Sequence, residues 1–225
     1  MTAPAVVVFD VNETLFDLAG LDPAFAAVGL DPSLRPLWFA RTLRDGFALA
    51  ASGDYRPFRE VAAAALRSLP WHGDGGYDDS DEAVSSVLSA FASLRPHPDV
   101  EPALQALRRA GVRVVTLSVG SADLNRRQLD AAGLGDLVER TLSADAVRRW
   151  KPAPEPYRSA AEACGVPIGS MALVAVHAWD IHGATRAGMR AAWVSRLEKS
   201  YSEAFTRPAV VADTLVEAVD QLLRR

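Results

Sequence analysis

The sequence predicts an α/β protein, a Rossmann-like, doubly wound parallel sheet with a run of helices inserted after its first strand. Three observations carry this. The apolar, β-branched run Val6–Phe9 ends on Asp10, the pattern of a buried strand that delivers a polar side chain to the carboxyl edge of an open sheet. From Asp17 to Leu94 apolar residues fall at three- and four-residue spacing with no strand-like run, which is helical periodicity. Beyond Arg95, Pro96, His97 and Pro98, short apolar runs alternate with helical stretches, as in parallel strands joined by crossover helices.

In chain order, the inserted segment predicts helices over Pro36–Leu49, Pro57–Leu69 and Asp81–Ser93, starting on residues suited to a first helical turn. Between the last two, Pro70–Asp81, with Trp71, His72, Gly73, Asp74, Gly75, Gly76 and Tyr77, reads as an exposed loop. After the proline-rich boundary comes a helix over Val100–Ala110, stopped by Gly111. A strand over Val112–Leu117 follows, then helices over Asp123–Ala132, closed by Gly133, and Glu155–Cys164. The last predicted elements are strand Met171–Val176, helix Asp180–Ala187 with Gly188, strand Ala191–Val194, a short strand at Val210 and Val211, and helix Leu215–Leu223. The organisation expected is a core domain of residues 1–15 and 96–225, opened by a helical domain of residues 16–95.

The bulk properties bound the function. A hydrophobic content of 49% excludes a disordered chain. The net charge of −4 and isoelectric point near 5.6 give no basic footprint for nucleic acid or an anionic membrane. No apolar run reaches the roughly 18 residues of a membrane span, and Met1–Phe9 lacks the basic and long apolar stretches of a signal peptide. The single cysteine, Cys164, forms no internal disulfide, reads as packing, and fits a cytoplasmic protein. Asp78, Asp79, Asp81 and Glu82 read as a solvated helix start, His72 and His97 as surface residues, and His182 as a helix residue with no visible partner.

Four predicted strand ends bring polar residues to one edge of the sheet. Asp10 and Thr14 follow the first strand, and Ser118, Gly120 and Ser121 the second. Lys151 lies in the loop Trp150-Lys151-Pro152-Ala153-Pro154, and Asp180 follows Val176, His177, Ala178 and Trp179. Singly, each has a structural alternative: Asp10, Thr14 and Asp180 as caps, Ser118 as a turn residue, Lys151 as a solvated surface side chain. Together and in this order, the carboxylate, hydroxyl, lysine and carboxylate resemble the four signature motifs of the haloacid dehalogenase superfamily. The resemblance spans Ala5–Val194, and the early helical segment resembles that family's cap.

The surroundings of Asp10 are most similar to the type II L-2-haloacid dehalogenase branch. Phosphatase members carry a second Asp where this chain has Asn12, and they bind magnesium through acidic residues at the fourth motif, where this chain has Asp180 alone. Ala178, Trp179 and Asp180 match the dehalogenase branch, with His177 in place of its Asn. Leu117, Ser118, Gly120 and Ser121 also match, with Val119 replacing an Asn, as do Lys151, Pro152 and Tyr157. A halide leaving group needs neither proton donor nor metal, which suits this inventory.

The resemblance implies hydrolytic dehalogenation of a small (S)-2-haloacid, with no cofactor. Asp10 is the implied nucleophile and Asp180 with Lys151 the base-side pair, while Lys151 also keeps Asp10 ionised. Thr14 and Ser118 are the implied hydrogen-bonding residues for Asp10 or the substrate carboxylate. Asn12, Arg41, Val119, Tyr157, His177 and Trp179 are the candidate substrate-binding residues. His177 reads as a second base, a stand-in for the missing Asn, or a packed ring. The branch's cap arginine directly follows a Trp, whereas Trp38 here precedes Phe39, leaving Arg41 on Trp38's face of a helix or on the surface. The alternatives are a magnesium-dependent phosphatase on a small phosphorylated metabolite, and a non-catalytic protein that binds a small anion. The family also implies a homodimer.

Overall fold

The computed structural model describes residues 3–70 and 77–224. The stretch 71–76 of the predicted loop, with His72, lies outside the described residues. Strand β1 (Val6–Phe9) leads into helices α1 (Asp22–Ala27), α2 (Arg35–Ser52), α3 (Phe58–Arg67) and α4 (Asp81–Ser89). Then follow α5 (Val100–Arg109), β2 (Arg113–Ser118), α6 (Ala122–Ala131), β3 (Arg140–Ser143) and α7 (Pro154–Cys164). The chain ends with β4 (Met171–Ala175), α8 (Ala178–Ala187), β5 (Arg190–Val194), β6 (Val210–Ala212) and α9 (Leu215–Arg224).

The strands form one parallel sheet in the order β3-β2-β1-β4-β5-β6. Winding reverses between β1 and β4, and such a switch point opens a crevice at the carboxyl ends of the strands. Phe9 stands level with Thr116 of β2 and Val174 of β4, so Asp10 emerges at that crevice. Side chains alternate across the sheet. Val6 and Val8 pack with Tyr157, Ala160 and Cys164 of α7 and Ile181 of α8. Val7 and Phe9 pack on the other face with Leu104 and Leu107 of α5 and Val219 of α9. Coverage on both faces explains why β1 reads as an unbroken apolar run. Cys164 is buried in the first of these layers, the packing role its neighbours suggested.

The structure adds two elements to the sequence reading. Edge strand β3 carries Arg140, Thr141, Leu142 and Ser143, and with one strong apolar residue it lacks the pattern that betrays a buried strand. Helix α1 is a separate short turn ahead of α2. The predicted helix over Asp81–Ser93 tightens to a 3-10 turn at Ala90–Ser93.

Helices α1–α4 share a continuous apolar cluster with the α5 and α9 face of the sheet. Trp38 is fully buried between Phe25 and Phe91, and its indole N–H donates to the Ala62 carbonyl of α3 (2.9 Å). The attachment to the sheet side is specific. Trp150 packs against Phe58, donates its indole N–H to the Arg56 carbonyl (2.9 Å), and lies on Gly46, where a Cβ would fall 2.2 Å from its ring. Gln128 donates to the Phe91 carbonyl (2.8 Å), and the Tyr55 hydroxyl donates to the Asp145 carboxylate. Among the described residues no helix is long and apolar enough to cross a membrane.

Candidate active site

The seat of Lys151 is built by its neighbours. Trp150 is locked under α2 and α3, and Pro152 packs on Gly183, where a Cβ would meet Pro152 Cβ and the Tyr157 hydroxyl at 2.6 Å. The lysine between them has no solvent exposure, an arrangement lysine adopts only with anionic partners. Its ammonium donates to Asp10 Oδ1 (2.9 Å) and Asp180 Oδ2 (2.7 Å). The Tyr157 hydroxyl donates to Asp180 Oδ1 (2.6 Å), so both Asp180 oxygens are engaged in a fully buried setting. Thr14 donates to Asp10 Oδ2 (2.7 Å) and accepts from the Val176 N–H (3.2 Å), tying the β1 loop to the end of β4.

The electrostatics follow from this wiring. Burial works to raise the Asp10 carboxyl, but the Lys151 charge and the His177 hydrogen bond outweigh it and hold it well below the usual carboxylate range. Lys151 is disfavoured as an ammonium by burial, yet Asp10 and Asp180 raise it above its ordinary value. Asp180 is raised by burial and by the charge of Asp10, against the pull of Lys151. Tyr157 is pushed well up by burial and by Asp180, so it stays a donor. Asp10 is thus an ionised carboxylate at neutral pH, aligned by three donors and only 4% exposed.

His177 is the third of those donors. Its Nδ1 lies 3.2 Å from Asp10 Oδ2, and its Nε2 lies 2.8 Å from Glu13 Oε2. Burial opposes the charged ring, but hydrogen bonds and charges of Asp10 and Glu13 raise its pKa to about 9. The ring stacks on half-buried Trp179 (centroids 5.1 Å apart) and faces Phe39 at 6.3 Å. The ring is thus buried with both nitrogens engaged.

Ser118, buried at the end of β2, accepts from the Gly120 N–H (2.9 Å), while Ser143 donates to the Gly120 carbonyl (2.8 Å). Val119 is buried within this turn. Asn12 is buried two residues beyond Asp10, and among the described residues its amide has no hydrogen-bond partner.

Two candidate substrate-binding residues lie elsewhere than expected. Arg41 shares a face of α2 with Trp38, as its spacing implies, but that face turns toward α3, where the guanidinium donates to the Ser68 carbonyl. The face of α2 nearest the strand ends instead carries Phe39 over His177 and, two turns on, Phe47 against Trp179. Tyr157 is fully enclosed behind Asp180 and supports that carboxylate rather than facing a ligand. His97 is half-buried and donates to the Glu13 carbonyl (3.1 Å), and His182 pairs with Thr206 and stacks on Phe205, so neither is a bare surface ring.

No sequence pattern singles out the Glu13 side chain. Its backbone takes a left-handed φ of 63°, which no residue pattern announces for a glutamate. The loop that holds it is pinned by Arg196, whose guanidinium donates to the Thr14 carbonyl (2.7 Å) and pairs with Asp99 (2.6 Å).

A parallel sheet with an ionised, lysine-held aspartate at its switch point defines a class of enzymes that work through a strand-end carboxylate. The model of the haloacid dehalogenase-like hydrolase family matches residues 4–188, and the chain belongs to that family. Haloacetate dehalogenase H-2 of Moraxella sp. (strain B) is 29% identical over 221 residues, covering 96% of this chain and 95% of that protein. The (S)-2-haloacid dehalogenase of Xanthobacter autotrophicus is 30% identical over 210 residues, covering 91% of this chain and 79% of that one. The structure of L-2-haloacid dehalogenase from Xanthobacter autotrophicus with chloropropionic acid covalently bound matches with a TM-score of 0.85 at 25% identity, covering 100% of this chain and 99% of that one.

Proposed function

We propose that this protein hydrolyses the carbon–halogen bond of small (S)-2-haloacids, giving 2-hydroxy acids through an ester on Asp10. One observation carries the reading: Asp10 is held ionised by Lys151 at 2.9 Å, while the residue two positions on is Asn12, which offers no acid to a leaving group. Halide departs without a proton, so that lack suits attack on carbon. The covalent chloropropionic acid in the relative's structure supports the same chemistry.

In the first step an Asp10 oxygen bonds to the carbon bearing the halogen, the carbon–halogen bond breaks, and halide leaves with the electron pair, inverting the centre. In the second, water adds to the Asp10 carboxyl carbon and the ester bond breaks to release the hydroxy acid. Lys151 keeps Asp10 ionised, and Asp180, braced by Tyr157, fixes Lys151. Thr14 orients the nucleophile. Ser118, with Val119 in its turn, is placed to receive the substrate carboxylate, and Asn12, His177 and Trp179 line the approach. Residues 16–95 act as a cap over a core of residues 1–15 and 96–225, with Phe39 and Phe47 as its inner face. A cytoplasmic location and a homodimer belong to this reading, from the lone cysteine and the resemblance.

The donor set does not suit magnesium. A lysine, a threonine and a histidine contact the Asp10 oxygens, and Lys151 and Tyr157 occupy those of Asp180. Magnesium demands several free oxygen ligands in an octahedron, and nothing at the site favours phosphoryl transfer.

The test is chloride release from (S)-2-chloropropionate by ion chromatography in the presence of EDTA. Wild type is expected to release chloride catalytically and Asp10→Asn none. Silence of the wild type toward haloacids, with magnesium-dependent hydrolysis of p-nitrophenyl phosphate, is the opposite result.

A further inference from the structure

An anion meets an unfavourable charge at the crevice around Asp10. Asp10, Glu13 and Asp180 set three carboxylates against the two cations Lys151 and His177, and both cations are engaged by those carboxylates. Arg41 is turned toward α3. With Asp10 only 4% exposed, a ligand reaches it through the seam between the inserted helices and the carboxyl edge of the sheet. Two cavities on that seam differ in charge. One, of about 480 Å³, lies between Phe47 and Ala51 of α2 and Pro152, Trp179 and Phe205, and no charged side chain lines it. The other, of about 330 Å³, lies between α3 with the 3-10 turn at Ala90–Ser93 on one side and α6 on the other.

The second cavity suits an amphipathic anion. Phe58, Leu88, Phe91 and Leu124 give it an apolar floor, and the exposed Arg59 and Arg127 stand at its edge. Arg59 donates to the Ser85 hydroxyl (2.8 Å), a neutral partner, and among the described residues Arg127 has no hydrogen bond or ion pair. The one carboxylate on the lining, Asp145, already accepts from the Tyr55 hydroxyl. The inner wall belongs to elements that build the active site. Ser121 closes the turn that begins at Ser118, and Phe58 packs on Trp150 (centroids 6.0 Å apart), the residue before Lys151.

We infer, on the dehalogenase reading, that this seam cavity captures the haloacid anion before it reaches Asp10, with Arg59 and Arg127 as the capturing cations. A 2-haloacid has the matching make-up, one carboxylate for the guanidiniums and an apolar halogenated end for the floor. Two positive charges beside an apolar wall raise the local concentration of an anion whose final site carries more negative than positive charge. From the cavity the turn from Ser121 back to Ser118 leads to the strand ends. Neither guanidinium hydrogen-bonds to Asp10, Lys151 or Ser118, so capture acts on encounter and binding and leaves the bond-breaking steps alone. The groove beside Trp179 holds no cation and offers the carboxylate nothing.

The experiment is steady-state chloride release from (S)-2-chloropropionate at ionic strengths from about 0.01 M to about 1 M, set with sodium sulfate. It compares wild type with the double variant Arg59→Gln and Arg127→Gln, the same pair changed to Lys, Leu124→Trp and Ala51→Trp. Wild-type kcat/KM is expected to fall as salt rises while kcat stays constant. The double Gln variant is expected to start roughly tenfold lower in kcat/KM at low salt, with kcat unchanged and little salt dependence left. The double Lys variant keeps the charge and is expected to keep the wild-type values. The salt slope is a readout that merely structural arginines do not move. Leu124→Trp, which fills the charged cavity, is expected to lower kcat/KM, and Ala51→Trp, which fills the uncharged groove, to leave it unchanged. A wild-type kcat/KM and salt slope in the double Gln variant, an equal loss in the double Lys variant, or a loss confined to Ala51→Trp overturns the inference. Those outcomes leave wild-type dehalogenation standing. No chloride release by the wild type itself removes the dehalogenase reading, and the inference with it.

Discussion

Replacing His177 by Gln should flatten the alkaline side of the stability profile. The folded-state pKa of His177 is raised from 6.5 to about 9. A raised histidine stabilises the fold fully below its unfolded value, and that stability is lost as pH rises through the folded value. Between 6.5 and about 9, at about 1.36 kcal/mol per pH unit, the contribution amounts to about 3 kcal/mol. The ring is 8% exposed, so solvent screening takes little from this figure. Urea unfolding at pH 6 and pH 10, in wild type and His177→Gln, reads it directly. His97, lowered by burial, and Cys164, raised by burial, titrate alike in both proteins and cancel in the difference. Wild type should lose about 3 kcal/mol more than the variant between the two pH values. A stability difference that stays constant with pH would show that His177 is not held as an imidazolium between Asp10 and Glu13.

Lys151→Met should abolish halide release and destabilise the protein by about 3–5 kcal/mol at pH 7, because two buried carboxylates lose their shared cation; equilibrium unfolding checks it. Wild type loses stability as pH falls through the depressed folded pKa of Asp10, whereas the variant, whose buried carboxylates favour the protonated form, should gain stability as pH drops toward 5. Gly46→Ala places a methyl 2.2 Å from the Trp150 ring, so it should cost about 1–3 kcal/mol in thermal melts, and it should slow turnover because Trp150 seats the next residue, Lys151. Tyr157→Phe removes a hydrogen bond to a buried carboxylate and should cost about 1.5–3 kcal/mol in urea unfolding, leaving the Asp10 ester able to form.

The buried layers of the fold were legible because burial on both faces forces apolar runs, and β1, β2, β4 and β5 carry them. Edge strand β3 was not, since half of its surroundings are solvent and Arg140 and Ser143 look like loop. Asp10, Thr14, Lys151 and Asp180 were readable from their order along strand ends, and the structure joins all four in one hydrogen-bonded cluster. What could not be read was direction. Arg41 and Trp38 do share a helical face, but its rotation toward α3 depends on packing between distant residues such as Trp38 and Ala62. Glu13 was hidden for a related reason: a left-handed backbone at a glutamate is imposed by His97, Phe16 and Arg196, which lie far from it in the chain or act through main-chain atoms.

In the proposed mechanism Asp10 is covalently alkylated and then regenerated by water at its own carboxyl carbon. Multiple turnovers with (S)-2-chloropropionate in oxygen-18 water, followed by peptide mass spectrometry, test it most directly. Oxygen-18 is expected in the Asp10 carboxylate, and a single turnover with excess enzyme is expected to give a hydroxy acid whose new oxygen is oxygen-16 from Asp10. Oxygen-18 in the product of that single turnover, with none entering Asp10, would mean that water attacks the substrate directly and that no ester forms on Asp10.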